Sequence, residues 1–293
     1  KGDIAALIGD FVNAALRAVA AGFDGIEIHG GHGYVISSFL SPASNQRDDD
    51  YGGSLENRAR LMVDIIGAVR TAVGPDFPII IRLDAKEYRV DNGITPDDFI
   101  AAAKLAQAAG VDAIDVSAYS DTQKGIAFTE APLVHQPSAY VPFSERVKHE
   151  LGLPVIAVGR IELDSAAKDI AQHKYDFLGL GRKLIADPEL PNKCAAGLAQ
   201  TIRPCIYCYI CVSQIFINKP LICAVNTDVG REYKADLIAS TAETRQRFVV
   251  VGGGPGGMEA ARLLASVGHQ VTLFEKEPQL GGTARIAALA YEP

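Results

Sequence analysis

Residues 78–83 read Pro78-Ile79-Ile80-Ile81-Arg82-Leu83, three isoleucines in succession and then a cation. A strand with one wet face alternates apolar and polar residues, whereas a strand covered on both faces reads as a continuous apolar run. Four further runs share this character: Gly25-Ile26-Glu27-Ile28 before it, and Ala113-Ile114-Asp115-Val116, Pro154-Val155-Ile156-Ala157-Val158 and Phe177-Leu178-Gly179-Leu180 after it. Helical patterns fill the intervals. Ile4, Leu7, Ile8, Phe11, Val12, Ala15 and Val19 share one face ahead of Gly22, and Leu55, Ala59, Met62, Val63, Ile66 and Val69 share another. Phe99, Ile100, Ala103 and Ala106 form a third stripe, opened by Thr95 as N-cap and Pro96 in the first turn. Shorter helices are expected around residues 142–151, 163–173 and 188–200.

This alternation of strand and helix predicts an α/β fold with a parallel sheet. An open doubly wound sheet and a (β/α)8 barrel both satisfy it. The barrel is favoured because every strand ends in a polar or glycine-rich turn, where barrels collect their chemistry. A barrel needs eight strands and five precede the cysteine-rich stretch. The expectation is therefore the C-terminal part of a TIM barrel over residues 1–200, a cysteine-rich segment and linker over 201–245, and the first βαβ unit of a Rossmann-like domain over 246–293. The chain opens at Lys1 on the threshold of a helix and closes shortly after a motif that ordinarily begins a domain, so an internal piece of a longer protein is expected.

The 293 residues are 48% apolar and 22% charged, enough to build a buried core and unlike a disordered chain. No apolar run approaches the roughly 20 residues needed to cross a bilayer. A formal charge of −7 without a basic cluster argues against nucleic acid or an anionic membrane as partner. A small molecule is expected instead, with a homo-oligomer left open. Five cysteines, four of them between Cys205 and Cys223, and no signal-peptide pattern favour a metal site in a reducing compartment over disulfides. The cytoplasm is the expected location.

The chemistry-bearing residues fall into five groups. Cys205-x2-Cys208-x2-Cys211-x11-Cys223 offers three thiolates in one turn and a distant fourth, the spacing that wraps a four-iron four-sulfur (4Fe-4S) cube; zinc or unliganded thiols are the alternatives. Cys194 reads as a buried free thiol. Gly252-x-Gly254-x-x-Gly257 lies between a strand and a helix, with Glu275 about twenty residues on, the fingerprint of an adenine dinucleotide or ADP site; a glycine turn serving packing alone is the bland reading. Gly159-Arg160 and Gly181-Arg182 end the last two strands, where barrels hold a phosphate, unless they are plain turns with surface arginines. Arg82 needs an acid such as Asp84 or Asp115, or a ligand such as a flavin's pyrimidine edge. His29, His32 and Tyr34, in His29-Gly30-Gly31-His32-Gly33-Tyr34, could polarise a carbonyl and deliver a proton, or could be structural.

Asp24 to Tyr34, the segment Asp50-Tyr51-Gly52-Gly53-Ser54-Leu55-Glu56-Asn57-Arg58-Ala59-Arg60, Ala157-Val158-Gly159-Arg160 and Arg203-Pro204-Cys205 together resemble the old yellow enzyme family. They resemble in particular its multidomain iron–sulfur flavoprotein branch of 2,4-dienoyl-CoA reductase, 2-enoate reductase and trimethylamine dehydrogenase. The resemblance implies an FMN barrel, a 4Fe-4S cluster and a C-terminal domain holding FAD or ADP and, in the reductases, receiving NAD(P)H. It implies that His29 and His32 bond the substrate carbonyl, Tyr34 protonates the carbon α to it and Arg82 sits by the flavin ring. Gly159, Arg160, Gly181 and Arg182 would take the FMN phosphate, and His135 would stand near the flavin. The Tyr51–Arg60 stretch is structural, with Ser54 capping a helix. The departures are the two residues between the second and third cysteines, as in trimethylamine dehydrogenase, and Asp84 where relatives often have Ser. An NAD(P)H-dependent ene-reductase is the expected function. An amine dehydrogenase or N-demethylase is the alternative, and a non-catalytic electron-transfer or assembly subunit a third.

Overall fold

The computed structural model describes residues 2–120, 136–234 and 242–289, the side chains of Ser120 and Lys234 excepted; the position assigned to His135 lies outside them. The chain divides into two compact units, Lys1–Gly181 and Arg182–Pro293. All five expected strands form in the first: β1 (Ile26–Gly30), β2 (Ile79–Tyr88), β3 (Ala113–Ser120), β4 (Val155–Ala157) and β5 (Phe177–Leu178). They are parallel and their spatial order is β1-β2-β3-β4-β5. A doubly wound sheet reverses strand order at a switch point. This sheet never does, which decides the question for the barrel.

Helices α1 (Gly2–Ala20), α2 (Val35–Leu40), α3 (Leu55–Val73), α4 (Pro96–Ala109), α5 (Val141–Leu151) and α6 (Leu163–Ala171) belong to this unit. Ser54 caps α3 by accepting from the Asn57 N–H, and α4 begins with a full capping box between Thr95 and Asp98. Arg58 donates to the Leu40 and Gly53 carbonyls and Arg60 to that of Asp50, so the Tyr51–Arg60 stretch ties loops to α3. α3 buries Ala59, Leu61, Met62, Ile65, Ile66 and Val69. Ile65 is fully buried; Ile65→Ala should cost about 2–5 kcal/mol, read as a lowered Tm. On α1, Ile4 and Ala15 are buried and Phe11 and Val12 pack beside them, but Val19 is exposed.

Register sorts the strand residues into rows. Ile28, Ile81, Ile114 and Val155 stand side by side and are all buried. The opposite row is His29, Arg82, Asp115 and Ile156, and one rung toward the carboxyl ends Asp84 stands beside Ser117. Parallel in-register pairing thus gathers polar residues far apart in sequence onto one face.

The second unit holds α7 (Arg182–Ala186), α8 (Leu190–Ala195), a 3-10 turn at Ala199–Thr201, α9 (Ile210–Phe216), β6 (Arg247–Val251), α10 (Pro255–Ser266), β7 (Gln270–Phe274) and α11 (Thr283–Ala288). Four corrections arise here. The single helix expected over 188–200 is broken into short pieces at Pro188 and Gly197. The cysteine-rich segment, read as irregular, contains α9. Cys194, in the last turn of the six-residue α8, is exposed rather than buried. The apolar run Phe248-Val249-Val250-Val251 reads as a buried strand, yet in β6 Val249 and Val251 are 64% and 84% exposed. Among the described residues its sheet has two strands, β6 and β7, with α10 packed against them.

Candidate active site

The polar row is surmounted by the loop after β1. His32 and Gly33 are left-handed there, with φ 63° and 72°. A Cβ at Gly31 would stand 2.8 Å from Asp84 Oδ1, and one at Gly33 2.8 Å from the Tyr119 hydroxyl, so these glycines let the loop lie flat on β2 and β3. Asp84 pins it, accepting the His32 backbone N–H at 2.6 Å and the Ser37 hydroxyl at 3.0 Å. The His32 ring is held from the other side, Nε2 lying 2.6 Å from Ser117 Oγ. Its ring centroid is 4.7 Å from that of His29, which is 5.4 Å from that of Tyr34. The three candidate residues are therefore brought together. Tyr34 is 64% exposed.

Electrostatics keep the imidazoles neutral. Burial, then the neighbouring His29 and Arg82, drives His32 down to about 3. Burial and Arg82 lower His29 as well. Burial pushes Asp84 up to about 7 against the His32 and Ser37 hydrogen bonds. These two shifts act oppositely on stability. Between about pH 3 and 6.5 the unfolded His32 binds a proton that the folded one refuses, so stability falls as pH falls. Between about pH 4 and 7 the folded Asp84 holds a proton that the unfolded one has lost, so stability falls as pH rises. In Asp84→Asn only the first remains, and Tm should drop more steeply below pH 6.5 than in the wild type; a parallel pair of Tm profiles would refute the assignment.

Arg82 meets an acid, as expected. Its Nε and Nη2 donate to Asp115 Oδ2, the former at 2.9 Å, and Nε lies 3.3 Å from Glu27 Oε1. Its side chain remains about one-third open, which leaves a cation available to a ligand edge. After β4, Gly159 and Arg160 are left-handed, with φ 101° and 57°. A Cβ at Gly159 would strike the Tyr140 ring at 2.6 Å, whereas Gly181 faces open space. A backbone without side chains between a buried tyrosine and open space fits a phosphate end for a flavin. Sequence reasoning passed over Ser37 and Ser117. Strand alternation and register would have found Ser117, because it shares the face of Asp115.

In the second unit the four cysteines line one recess with Arg182 and Tyr207. Burial raises the Cys205 and Cys211 thiols, and both sense Cys223. Among the described residues no group of three His, Cys, Asp or Glu side chains is arranged to hold a single metal ion. Tyr207 and Tyr209 are left-handed, and the Arg182 guanidinium covers both rings at 5.1 and 4.7 Å. Further on, Gly252 has φ 103°, and a Cβ at Gly257 would collide with the Gly252 carbonyl at 1.9 Å. α10 thus starts hard against the end of β6, with Gly254 at its N-cap. Glu275 accepts the Gly253 N–H at 2.6 Å and the Glu277 N–H at 3.0 Å, and these bonds hold it below the usual carboxylate range. Beside it lies a cleft of about 1000 Å³ bordered by Gly252, Glu275 and Arg285, roomy enough for a nucleotide. No helix among the described residues is long and apolar enough to cross a membrane.

Comparison with known proteins agrees with this geometry. A NADH oxidase from Thermoanaerobacter brockii is 44% identical over 294 residues, taking in 98% of this chain and 44% of that protein. A 2-naphthoyl-CoA reductase solved with 2-naphthoyl-CoA has a TM-score of 0.88 at 33% identity, covering 95% of this chain and 42% of its own. Histamine dehydrogenase from Rhizobium sp. 4-9 has a TM-score of 0.84 at 33% identity, covering 98% and 41%. The chain spans less than half the length of these relatives. Residues 250–289 match an NAD(P)-binding Rossmann-like domain. Residues 1–201 match the TIM-barrel flavoenzymes described as NADH:flavin oxidoreductase / NADH oxidase, and it is to that family that the chain belongs.

Proposed function

We propose that this chain is the flavin- and cluster-bearing portion of an NAD(P)H-dependent reductase of activated carbon–carbon double bonds, in enones or enoyl thioesters. The observation that carries the reading is the neutral imidazole pair, His29 and His32, with Tyr34 beside it. FMN, when bound, supplies hydride to the β carbon of the substrate. The chain's own residues do the rest. His29 and His32 donate N–H groups to the substrate carbonyl, bonds that strengthen as enolate charge develops. Ser117 and Asp84 fix the His32 ring and its backbone, so little reorganisation accompanies that change. Tyr34, at the open side, gives its phenolic proton to the α carbon. Arg82 faces the flavin's pyrimidine edge, and Gly159, Arg160 and Gly181 receive its phosphate, with Arg182 next in the chain but stacked on the cysteine loop. Cys205, Cys208, Cys211 and Cys223 hold a 4Fe-4S cluster. Gly252, Gly254, Gly257 and Glu275 hold the pyrophosphate and ribose of FAD or ADP. Four cysteines committed to a cluster and none to a disulfide suit the cytoplasm.

A second reading, oxidation of a methylated amine, is favoured by the likeness to histamine dehydrogenase. Anaerobic spectra of the full-length protein separate the two. Bleaching of the flavin by NADH or NADPH is the expected result; bleaching by a methylated amine alone would replace the first reading with the second. Cys211→Ser in the same protein should lose its iron and the broad cluster absorbance while keeping FMN. Full retention of iron would remove Cys211 from the ligand set.

A further inference from the structure

Arg82 lies between two acids, and only one of them is needed to pair it. Asp115 takes both guanidinium bonds on Oδ2, its side chain is 2% exposed, and its Oδ1 is buried with no donor among the described residues. Glu27, two residues before His29 on the same face of β1, touches the same guanidinium at 3.3 Å and lies within hydrogen-bonding reach of Asp115. Two ionised carboxylates on one guanidinium leave a net negative charge at a half-buried place. A proton on Glu27 removes that charge and gives the Asp115 carboxylate a further donor. We propose that Glu27 is a positioning residue for Arg82, forming with Asp115 a proton-sharing carboxyl pair behind the guanidinium that tunes the flavin to its protonation state. The inference rests on the proposed FMN site.

With Glu27 protonated the Glu27–Arg82–Asp115 group is neutral; when the proton leaves to solvent across the open third of Glu27, the group carries one negative charge. Reduction adds negative charge to a flavin ring, so ionisation of Glu27 opposes reduction. The groups facing the triad agree with a proton held near neutrality: His29 on β1, neutral, and Asp84 on β2, itself raised by burial. Burial and Asp115 together lift Glu27 to about 7, outweighing Arg82.

Two measurements test this. In the full-length holoprotein, FMN midpoint potentials of the wild type and Glu27→Gln should coincide at pH 6 and diverge by pH 8.5. The wild type should then favour oxidised over reduced FMN by at least about tenfold more, roughly 30 mV for a two-electron couple. Coincident potentials at every pH overturn the proposal. In the flavin-free protein, carboxyl titration by infrared or carbon-13 spectroscopy should show, besides Asp84, a second group near neutrality that vanishes in Glu27→Gln and titrates lower in Asp115→Asn. Its absence overturns the pair. If the protein takes up no FMN, the flavin reading fails by itself, while the titration still decides whether the proton is shared. Should Glu27→Gln not fold, the Asp115→Asn shift serves instead.

Discussion

Tyr34→Phe in the full-length protein slows the oxidation of reduced flavin by an enone about 10²–10⁴-fold, the span associated with one positioned proton donor, and leaves reduction by NAD(P)H at its original rate. The asymmetry follows from where the residue sits. Tyr34 is largely exposed, its backbone starts α2, and its side chain caps nothing, so removing the hydroxyl disturbs neither the loop nor the core. Stability should change by less than about 0.5 kcal/mol, as for other surface changes. Stopped-flow measurement of the two half-reactions is the check. A slowed reductive half, or equal oxidation rates in the two proteins, would take the proton-donor role from Tyr34.

Gly257→Ala is the second large effect. Its methyl group would lie 1.9 Å from the Gly252 carbonyl oxygen, which is backbone and cannot swing aside, so α10 must retreat from the end of β6. Overpacking of this kind costs about 1–3 kcal/mol or more, and as the displaced groups are those proposed to hold a pyrophosphate, FAD or ADP affinity should fall about 10–100-fold. Gly256→Ala is the internal control, since nothing stands within 4 Å of that position and Ala favours a helix by about 1 kcal/mol over Gly. Equal nucleotide binding by the two variants, read by calorimetry, would sever the fingerprint from nucleotide binding.

The frame was legible because each of its signals is local. Three isoleucines before Arg82, the Thr95–Pro96 start of α4 and the Ser54 cap each state a conformation within a few residues, and all reappear in the structure. What was not legible depends on neighbours. Val249 and Val251 have the composition of a buried strand, but burial is decided by what lies above the strand. Cys194 is apolar enough for a core position, yet the end of the short helix α8 that carries it is left open to solvent. At the site, His29, His32 and Tyr34 announce themselves by spacing. The carboxylates that hold the site together, Asp84 on the His32 backbone and Asp115 on Arg82, are assembled by register across β2 and β3, and Ser117 came only with them.

Strand order in the sheet equals strand order in the chain. As the polypeptide leaves the ribosome, β2 therefore emerges with β1 already made, β3 with β2, and so on to β5, and no strand must wait for one synthesised later in order to find a neighbour on its leading edge. At about 5–20 residues per second, each βα step is completed within a few seconds of the last, long compared with the formation of a helix or the closure of a loop. The same succession that makes the fold recognisable thus lets it be laid down in the direction of translation, one edge at a time, with the His29 loop waiting at the first strand until β2 and β3 bring up the acids that fix it.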